Sequence, residues 1–238
     1  MKQKLAIFDI DGTIFRSSLL IELVEALIHE GVFERDAALI YQRAHKQWLD
    51  RKGSYEDYIS SVVRAFVGNL KGVRYCDFLR VSNKVIALHK DRAYRFTRDL
   101  AKDLKRRGYY LVAVSHSPKG IVEPFAKHLG FHKVYGIIYE LDGAKERFNG
   151  KLLYEDLILD KAKIVRRVLE KEPVTLRGSV GVGDTESDIP FLKLVDRPIC
   201  FNPNRKLLAT AKRHGWKVVV ERKDVIYEIQ SFKRNTLE

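Results

Sequence analysis

The chain has 238 residues, 45% of them hydrophobic and 32% charged, and its 44 Lys+Arg against 31 Asp+Glu give a formal net charge of +13. This length fits one large core or two smaller domains, and apolar runs as short as YYLVAV at 109–114 exclude a transmembrane helix. The first residues lack a signal-peptide pattern, and Cys76 and Cys200 form no CxxC pair, so no disulfide framework or zinc site is indicated and a reduced, cytoplasmic protein is expected.

In chain order, residues 4–10 (KLAIFDI) read as a strand that runs straight into Asp9 and Asp11, with Gly12 and Thr13 behind them. Only helices follow until residue 90. Leu19, Leu20, Leu23, Val24, Leu27 and Ile28 keep an i, i+3/i+4 rhythm until Gly31 stops it. A second helix carries Ile40, Ala44 and Trp48 and ends near Gly53. Ser54-x-x-Asp57 has the form of a capping box opening a third, through Tyr58, Val62, Val63 and Phe66. A fourth, over 75–90, sets Phe78, Val81, Val85 and Leu88 on one side.

From Arg92 onward helix and strand alternate. A helix over 92–107 ends at Gly108; YYLVAVS is a strand, 119–129 a helix and KVYGIIYE a strand. A turn region between Gly143 and Gly150 precedes a helix at 161–171 and the strand SVGVGD. Then come a helix over 187–195, the strand PICF, a helix over 204–214 and the strand WKVVVE. Such alternation predicts an α/β fold, a mostly parallel sheet flanked by helices. Residues 17–91 are then a helical insertion, and 1–16 with 92–238 form the α/β core.

The charge excess gathers in residues 92–151, which hold 13 basic and 6 acidic residues. Arg92, Arg95, Arg98, Lys102 and Lys105 recur there at helical spacing, opposite Ala93, Phe96, Leu100 and Leu104. A basic face favours anionic partners, but a solvated helix face gives the same pattern. No nucleic-acid-binding motif is present, and nucleic acid is not favoured as a partner.

Ligands of an open parallel sheet bind at the carboxyl ends of its strands, and polar clusters sit at those ends here. Asp9-Ile10-Asp11 closes the first strand, Ser115-His116-Ser117 the second, and Gly183-Asp184 the SVGV strand, with Asp188 four residues on. Lys161 or Lys163 opens the helix before that strand. Asp9 and Asp11, at i and i+2 of an extended segment, project to the same side, and carboxylates that close repel unless a cation lies between them. Asp184 would bring a third acid. An all-oxygen donor set suits a hard ion, Mg²⁺ best, which shares its shell with water and phosphate. An Asp beside Mg²⁺ can attack phosphorus and form an aspartyl-phosphate that water then hydrolyses. A second carboxyl can protonate the departing alkoxide and later take a proton from water. Hydroxyls and an ammonium would hold the other phosphoryl oxygens.

FDIDGT, VSHS, a helix-opening lysine and GDTESD, in that order, resemble the four motifs of the haloacid dehalogenase-like hydrolase superfamily. The helical insert after the first motif, and the tail PICFNPNRKLLATAKRHGW, resemble its phosphoserine-phosphatase-like branch. The resemblance implies a Rossmann-like core with an inserted helical-bundle cap and a Mg²⁺-dependent phosphomonoesterase. It implies Asp9 as nucleophile and metal ligand, and Asp11 as general acid/base with its backbone carbonyl on the metal. It also implies Ser115 as a phosphate-binding hydroxyl, Asp184 as a metal ligand and Asp188 as its partner in fixing the metal shell. Thr13 would orient the loop around the phosphate. The third-motif lysine matches Lys161 better than Lys163, because Ile164 and Val165 follow at the family's spacing. His116 has no assigned role beyond a packing or loop contact.

The same resemblance does not favour phosphoserine as substrate. Ser18 stands where that branch carries a recognition glutamate, Val62 where it carries an arginine, and Gly12 where it usually has Ser. Glu22, Arg64, Tyr55 and Tyr58 can face substrate, although helix packing suits the two aromatics better. A cap hinged at 13–18 and 90–93 would close over a small phosphorylated substrate and exclude water. Phosphoryl transfer to another acceptor and a phospho-accepting signalling domain are the alternative activities. The sequence fixes no oligomeric state.

Overall fold

Strand β1 (Gln3–Asp9) lies inside an eight-stranded sheet in the computed structural model, which describes residues 2–143 and 145–229. The chain then leaves the sheet for α1 (Leu19–His29), a 3-10 turn (Arg35–Ala38), α2 (Leu39–Leu49), α3 (Tyr55–Leu70) and α4 (Tyr75–His89). It returns through α5 (Arg95–Arg106) to β2 (Tyr110–Pro118), α6 (Lys119–His128), β3 (Lys133–Asp142) and β4 (Arg147–Leu153). The short α7 (Glu155–Ile158), α8 (Lys161–Lys171) and β5 (Val174–Gly183) follow. A 3-10 turn (Glu186–Asp188) then leads through α9 (Ile189–Leu192), β6 (Arg197–Phe201), α10 (Arg205–His214), β7 (Lys217–Arg222) and β8 (Val225–Ile229).

The sheet order is β4-β3-β2-β1-β5-β6-β7-β8. β3, β2, β1, β5, β6 and β7 pair in parallel, and an antiparallel strand closes each edge. The α/β fold with a mostly parallel sheet is therefore as predicted. The chain runs from β1 outward through β2 and β3, then crosses to the other side of β1 for β5 and β6. That reversal makes the carboxyl ends of β2, β1 and β5 the crevice where such sheets bind ligands.

Side-chain alternation divides the apolar residues between two cores. Ala6, Phe8, Leu111, Ala113, Val180 and Val182 face one core, with the insert helices, α5 and α6. Leu5, Ile7, Val112, Val114, Cys200 and Val218 face the other, with α8, α9 and α10. Burying both faces is why β1 and β2 read as continuous apolar runs.

The insert forms its four predicted helices, although Leu88, expected on the side of Phe78, Val81 and Val85, is exposed. Both halves of the predicted capping box form at α3: Ser54 Oγ accepts from the Asp57 amide at 3.0 Å, and Asp57 Oδ2 accepts from the Ser54 amide at 3.4 Å. α5 buries Thr97, Ala101 and Leu104, so its inner face lies about one position from the predicted stripe.

Several elements differ from expectation, among them α7 and the 3-10 turn at Arg35–Ala38, which no pattern announces. The region read as a turn contains β4, because Asn149-Gly150, a turn signal in sequence, lies inside a strand where Gly150 takes φ +88°. The helix expected over 187–195 is a 3-10 turn and one short helix. β8 adds an edge strand beyond the WKVVVE strand. β4 matters most. It seats the insert on the sheet: Gly72 N–H donates to Phe148 O at 2.8 Å, and Phe148 N–H to Val73 O at 3.0 Å. The Phe148 ring packs against Phe78 at 5.2 Å and Tyr75 at 5.8 Å.

Candidate active site

β1 delivers Asp9 at its last residue, and the chain then turns sharply: Ile10 O accepts from the amides of Thr13, Ile14 and Phe15. Gly12 at that turn has φ +77°, and a Cβ there would lie 2.2 Å from Asp184 Oδ2. Glycine is thus required twice, for the backbone conformation and for the close approach of the β5 end. Thr13 Oγ1 donates to Asp184 Oδ1 at 3.2 Å, and Thr13 O accepts from Thr97 Oγ1 at 2.8 Å, tying the turn to α5.

Asp9, Asp184 and Asp188 each offer a carboxylate oxygen within 4.8 Å of the others. Lys161, only 2% exposed, stands between two of them, with Nζ 2.6 Å from Asp9 Oδ1 and 2.5 Å from Asp188 Oδ1. Ile164 and Val165 are buried on the same side of α8, as the i+3/i+4 spacing requires, whereas Lys163 is exposed. The geometry therefore selects Lys161 over Lys163. Asp188 is fully buried, and its second oxygen accepts from the amides of Asp184 at 2.9 Å and Thr185 at 3.0 Å. A Cβ at Gly183 would meet it at 2.5 Å, so this glycine too is there for close approach.

The electrostatics of the cluster call for positive charge. Burial pushes the Asp9 carboxyl up to about 7, with Lys161 pulling it down and the Asp188 and Asp11 charges raising it further. Burial, then the charges of Asp9 and Asp188, hold Asp184 well above the usual carboxylate range. Burial alone would lower the Lys161 ammonium, but its two carboxylate partners outweigh that and raise it. One ammonium does not neutralise three acids, and an oxygen-only donor set fits a hard divalent cation.

Asp11 faces away from this cluster. Its Oδ1 accepts from the Leu19 amide, the first residue of α1, at 2.6 Å. Its Oδ2 accepts from Ser115 Oγ at 2.5 Å and Ser117 Oγ at 2.9 Å. The expectation that Asp9 and Asp11 share one side of a strand does not hold for their carboxylates, because the strand ends at Asp9 and the turn redirects Asp11. Asp184 and Asp188, not the Asp11 carboxylate, are the acids that group with Asp9.

Sequence reasoning left Ser117 without a role. The signal was its i, i+2 relation to Ser115 on a strand, which sets both hydroxyls on one face. His116 points the other way, 3.2 Å from Ile158 O, and burial followed by the Lys161 charge lowers its imidazole to about 4. Among the insert aromatics, Tyr58 is 3% exposed and stacks on His45 at 4.5 Å, so it packs. Tyr55, the first residue of α3, keeps an exposed edge, and desolvation, then the charges of Asp11 and Asp184, push its phenol upward. Val62 is buried in the insert and Ser18 caps α1, accepting from the Leu20 amide at 3.2 Å. Glu22 pairs with Arg92 at 2.8 Å, and Arg64 donates to Ser61 Oγ.

The chain is similar to known proteins. The model of the haloacid dehalogenase-like hydrolase family aligns with residues 6–193. Phosphoserine phosphatase SerB1 of Mycobacterium tuberculosis is 24% identical over 218 residues, covering 90% of this chain and 69% of that protein. A Bordetella pertussis Tohama I protein of unknown function shares the fold with a TM-score of 0.73 at 18% identity, covering 92% of this chain and 98% of that one. A phospho-aspartyl intermediate analogue of phosphoserine phosphatase does so with a TM-score of 0.62 at 22% identity, covering 94% and 96%.

Proposed function

The chain belongs to the haloacid dehalogenase-like hydrolase family, and we propose that it is a Mg²⁺-dependent phosphomonoesterase acting on a small phosphorylated metabolite through an aspartyl-phosphate on Asp9. The observation that carries this reading is the division of the acids. Asp9 gathers with Asp184 and Asp188 beside the Lys161 ammonium, while Asp11 is held apart on a pair of hydroxyls. A nucleophile and a proton carrier need such separate environments.

Asp9, Asp184 and Asp188 would hold the metal, and Mg²⁺, once bound, supplies the charge that offsets repulsion between the Asp9 carboxylate and a phosphate dianion. Asp9 attacks phosphorus and the bond to the ester oxygen breaks. Asp11, protonated at that moment, gives its proton to the departing alkoxide. In the second step Asp11 takes a proton from water, the resulting hydroxide attacks phosphorus, and Asp9 and inorganic phosphate separate. Ser115 turns its hydroxyl from Asp11 to a phosphoryl oxygen, and Lys161 neutralises another. Asp188 holds Lys161 and the loop after β5 in place; Thr13 holds Asp184.

We read residues 17–91 as a cap over the core of 1–16 and 92–238. The Gly72–Phe148 and Val73–Phe148 backbone pairs hold one end of it to β4, so motion about 13–18 and 90–93 would have to work against that seam. The buried Val62 and the capping Ser18 offer no group for the carboxylate or ammonium of phosphoserine, which we do not favour as substrate. Among the described residues no helix is long and apolar enough to cross a membrane. The free thiols of Cys76 and Cys200 suit the reducing cytoplasm.

The test is phosphate release from a panel of phosphomonoesters with Mg²⁺ and no added acceptor. Turnover by the wild type that falls more than about 10³-fold in Asp9→Asn supports the reading. Activity that survives in Asp9→Asn removes the nucleophile, release only with an added alcohol makes the protein a transferase, and a phosphate retained without turnover makes it a receiver.

A further inference from the structure

We propose that Ser117 is the positioning residue that keeps Asp11 aimed at the leaving-group oxygen while Ser115 is engaged with the phosphoryl group, an inference that rests on the phosphatase reading above. Each serine hydroxyl has one proton to donate. The Ser115 hydroxyl carries one, which it gives to Asp11 Oδ2 at 2.5 Å. When that proton turns to a phosphoryl oxygen, Asp11 loses its shortest side-chain hydrogen bond. Two donors stay behind, one for each carboxylate oxygen: the Leu19 amide on Oδ1 at 2.6 Å and the Ser117 hydroxyl on Oδ2 at 2.9 Å. Two donors on opposite oxygens fix the plane of a carboxylate, and one alone leaves it free to rotate.

Ser117 also acts on Ser115. Its amide donates to Ser115 Oγ at 2.8 Å, occupying an acceptor position and directing the Ser115 proton outward. The backbone is shaped for this contact. The β2–β3 pairing is in register through Val114–Tyr135 and resumes at Pro118–Ile137, so residues 115–117 bulge opposite the single residue Gly136. A Cβ at Gly136 would lie 3.1 Å from Ser117 O and 2.8 Å from Lys119 Cα, so only glycine lets the bulged strand approach. Ser115 and Ser117 are both buried, at 0% and 3% exposure, with no bulk water at hand to replace either hydroxyl.

The test compares leaving groups, because a purely structural serine would not discriminate between them. Nitrophenolate departs without a proton, whereas phenolate, the anion of a phenol with a pKa of about 10, needs one. kcat/KM reports the steps through leaving-group departure. We expect Ser117→Ala to lower kcat/KM about tenfold with phenyl phosphate and less than about twofold with p-nitrophenyl phosphate. Ser117→Thr, which keeps the hydroxyl, should restore both, and Ser115→Ala should lower both together. Should the alanine variant not fold, Ser117→Cys, close in size and a poor donor, must show the same selective loss. Equal losses on the two esters, or none on either, would overturn the proposal. A wild type without turnover, or turnover that survives Asp9→Asn, would instead overturn the phosphatase reading.

Discussion

Around the ends of β2, β1 and β5, Asp9, Asp11, Ser115, Ser117, Lys161, Asp184 and Asp188 make most of their side-chain polar contacts with one another. The inner face of the insert is different: Leu19, Leu23, Val62, Phe66 and Phe78 are buried there in one apolar cluster. The insert meets the site with polar groups unlike its core: the Leu19 amide donates to Asp11, and the Tyr55 phenol is pushed upward by the Asp11 and Asp184 charges. On the proposed reading, the sheet fixes the charges that a phosphoryl reaction needs, and the insert covers them and shapes what can enter. Changes at the strand ends should therefore alter the chemical steps themselves, and changes in the insert should alter seating and the choice of substrate.

The sharpest challenge to that contrast lies at the seam. Phe148→Ala removes the ring that joins β4 to Tyr75 and Phe78, and should cost about 3–5 kcal/mol of unfolding free energy in a denaturant titration. A loss below about 1 kcal/mol would mean that the insert is seated by something else.

His116 tests the strand ends through pH. Its imidazole titrates at about 4 in the folded protein and near 6.5 when unfolded. Between these values the unfolded chain binds a proton that the folded one does not, so stability is complete above about pH 6.5 and falls as the pH drops toward 4. The loss attributable to this residue is on the order of 3 kcal/mol. His116→Asn should flatten that part of the profile, and an unchanged slope would contradict the burial of a neutral imidazole.

The smallest effect belongs to Tyr55→Phe. Removing one phenolic oxygen at the rim should change KM by a few-fold and differently from ester to ester, with kcat on p-nitrophenyl phosphate nearly constant. A uniform fall in kcat would move Tyr55 from the insert's role to the chemistry of the core.

Much of this was legible in the chain. Asp9, Ser115 and Asp184 each follow a strand of apolar residues, and a parallel sheet brings such ends together. Lys161 is favoured over Lys163 because Ile164 and Val165 follow it at the spacing of the family the chain resembles, and all three are buried on one side of α8. What could not be read depends on contacts distant in sequence. Asn149-Gly150 looks like a turn, but it is a bulge inside β4, whose flanking residues Phe148 and Leu152 pair with Leu141 and Tyr139 of β3. The different directions of Asp9 and Asp11 come from the Ile10 turn, closed by three amides, where alternation predicts a common side. The Ser-x-Ser spacing is a visible signal for Ser117, but the bulge opposite Gly136 that accompanies its contact with Asp11 is announced by no local pattern.

If Asp9, Asp184 and Asp188 gather around one divalent ion, calorimetric titration of the free protein with Mg²⁺ should show a single site that is lost in Asp184→Asn. The thermal midpoint should rise with Mg²⁺ by an amount equivalent to about 2.7 kcal/mol at a hundred times the dissociation constant. Binding that is absent in the wild type, or unchanged in Asp184→Asn, would contradict that gathering.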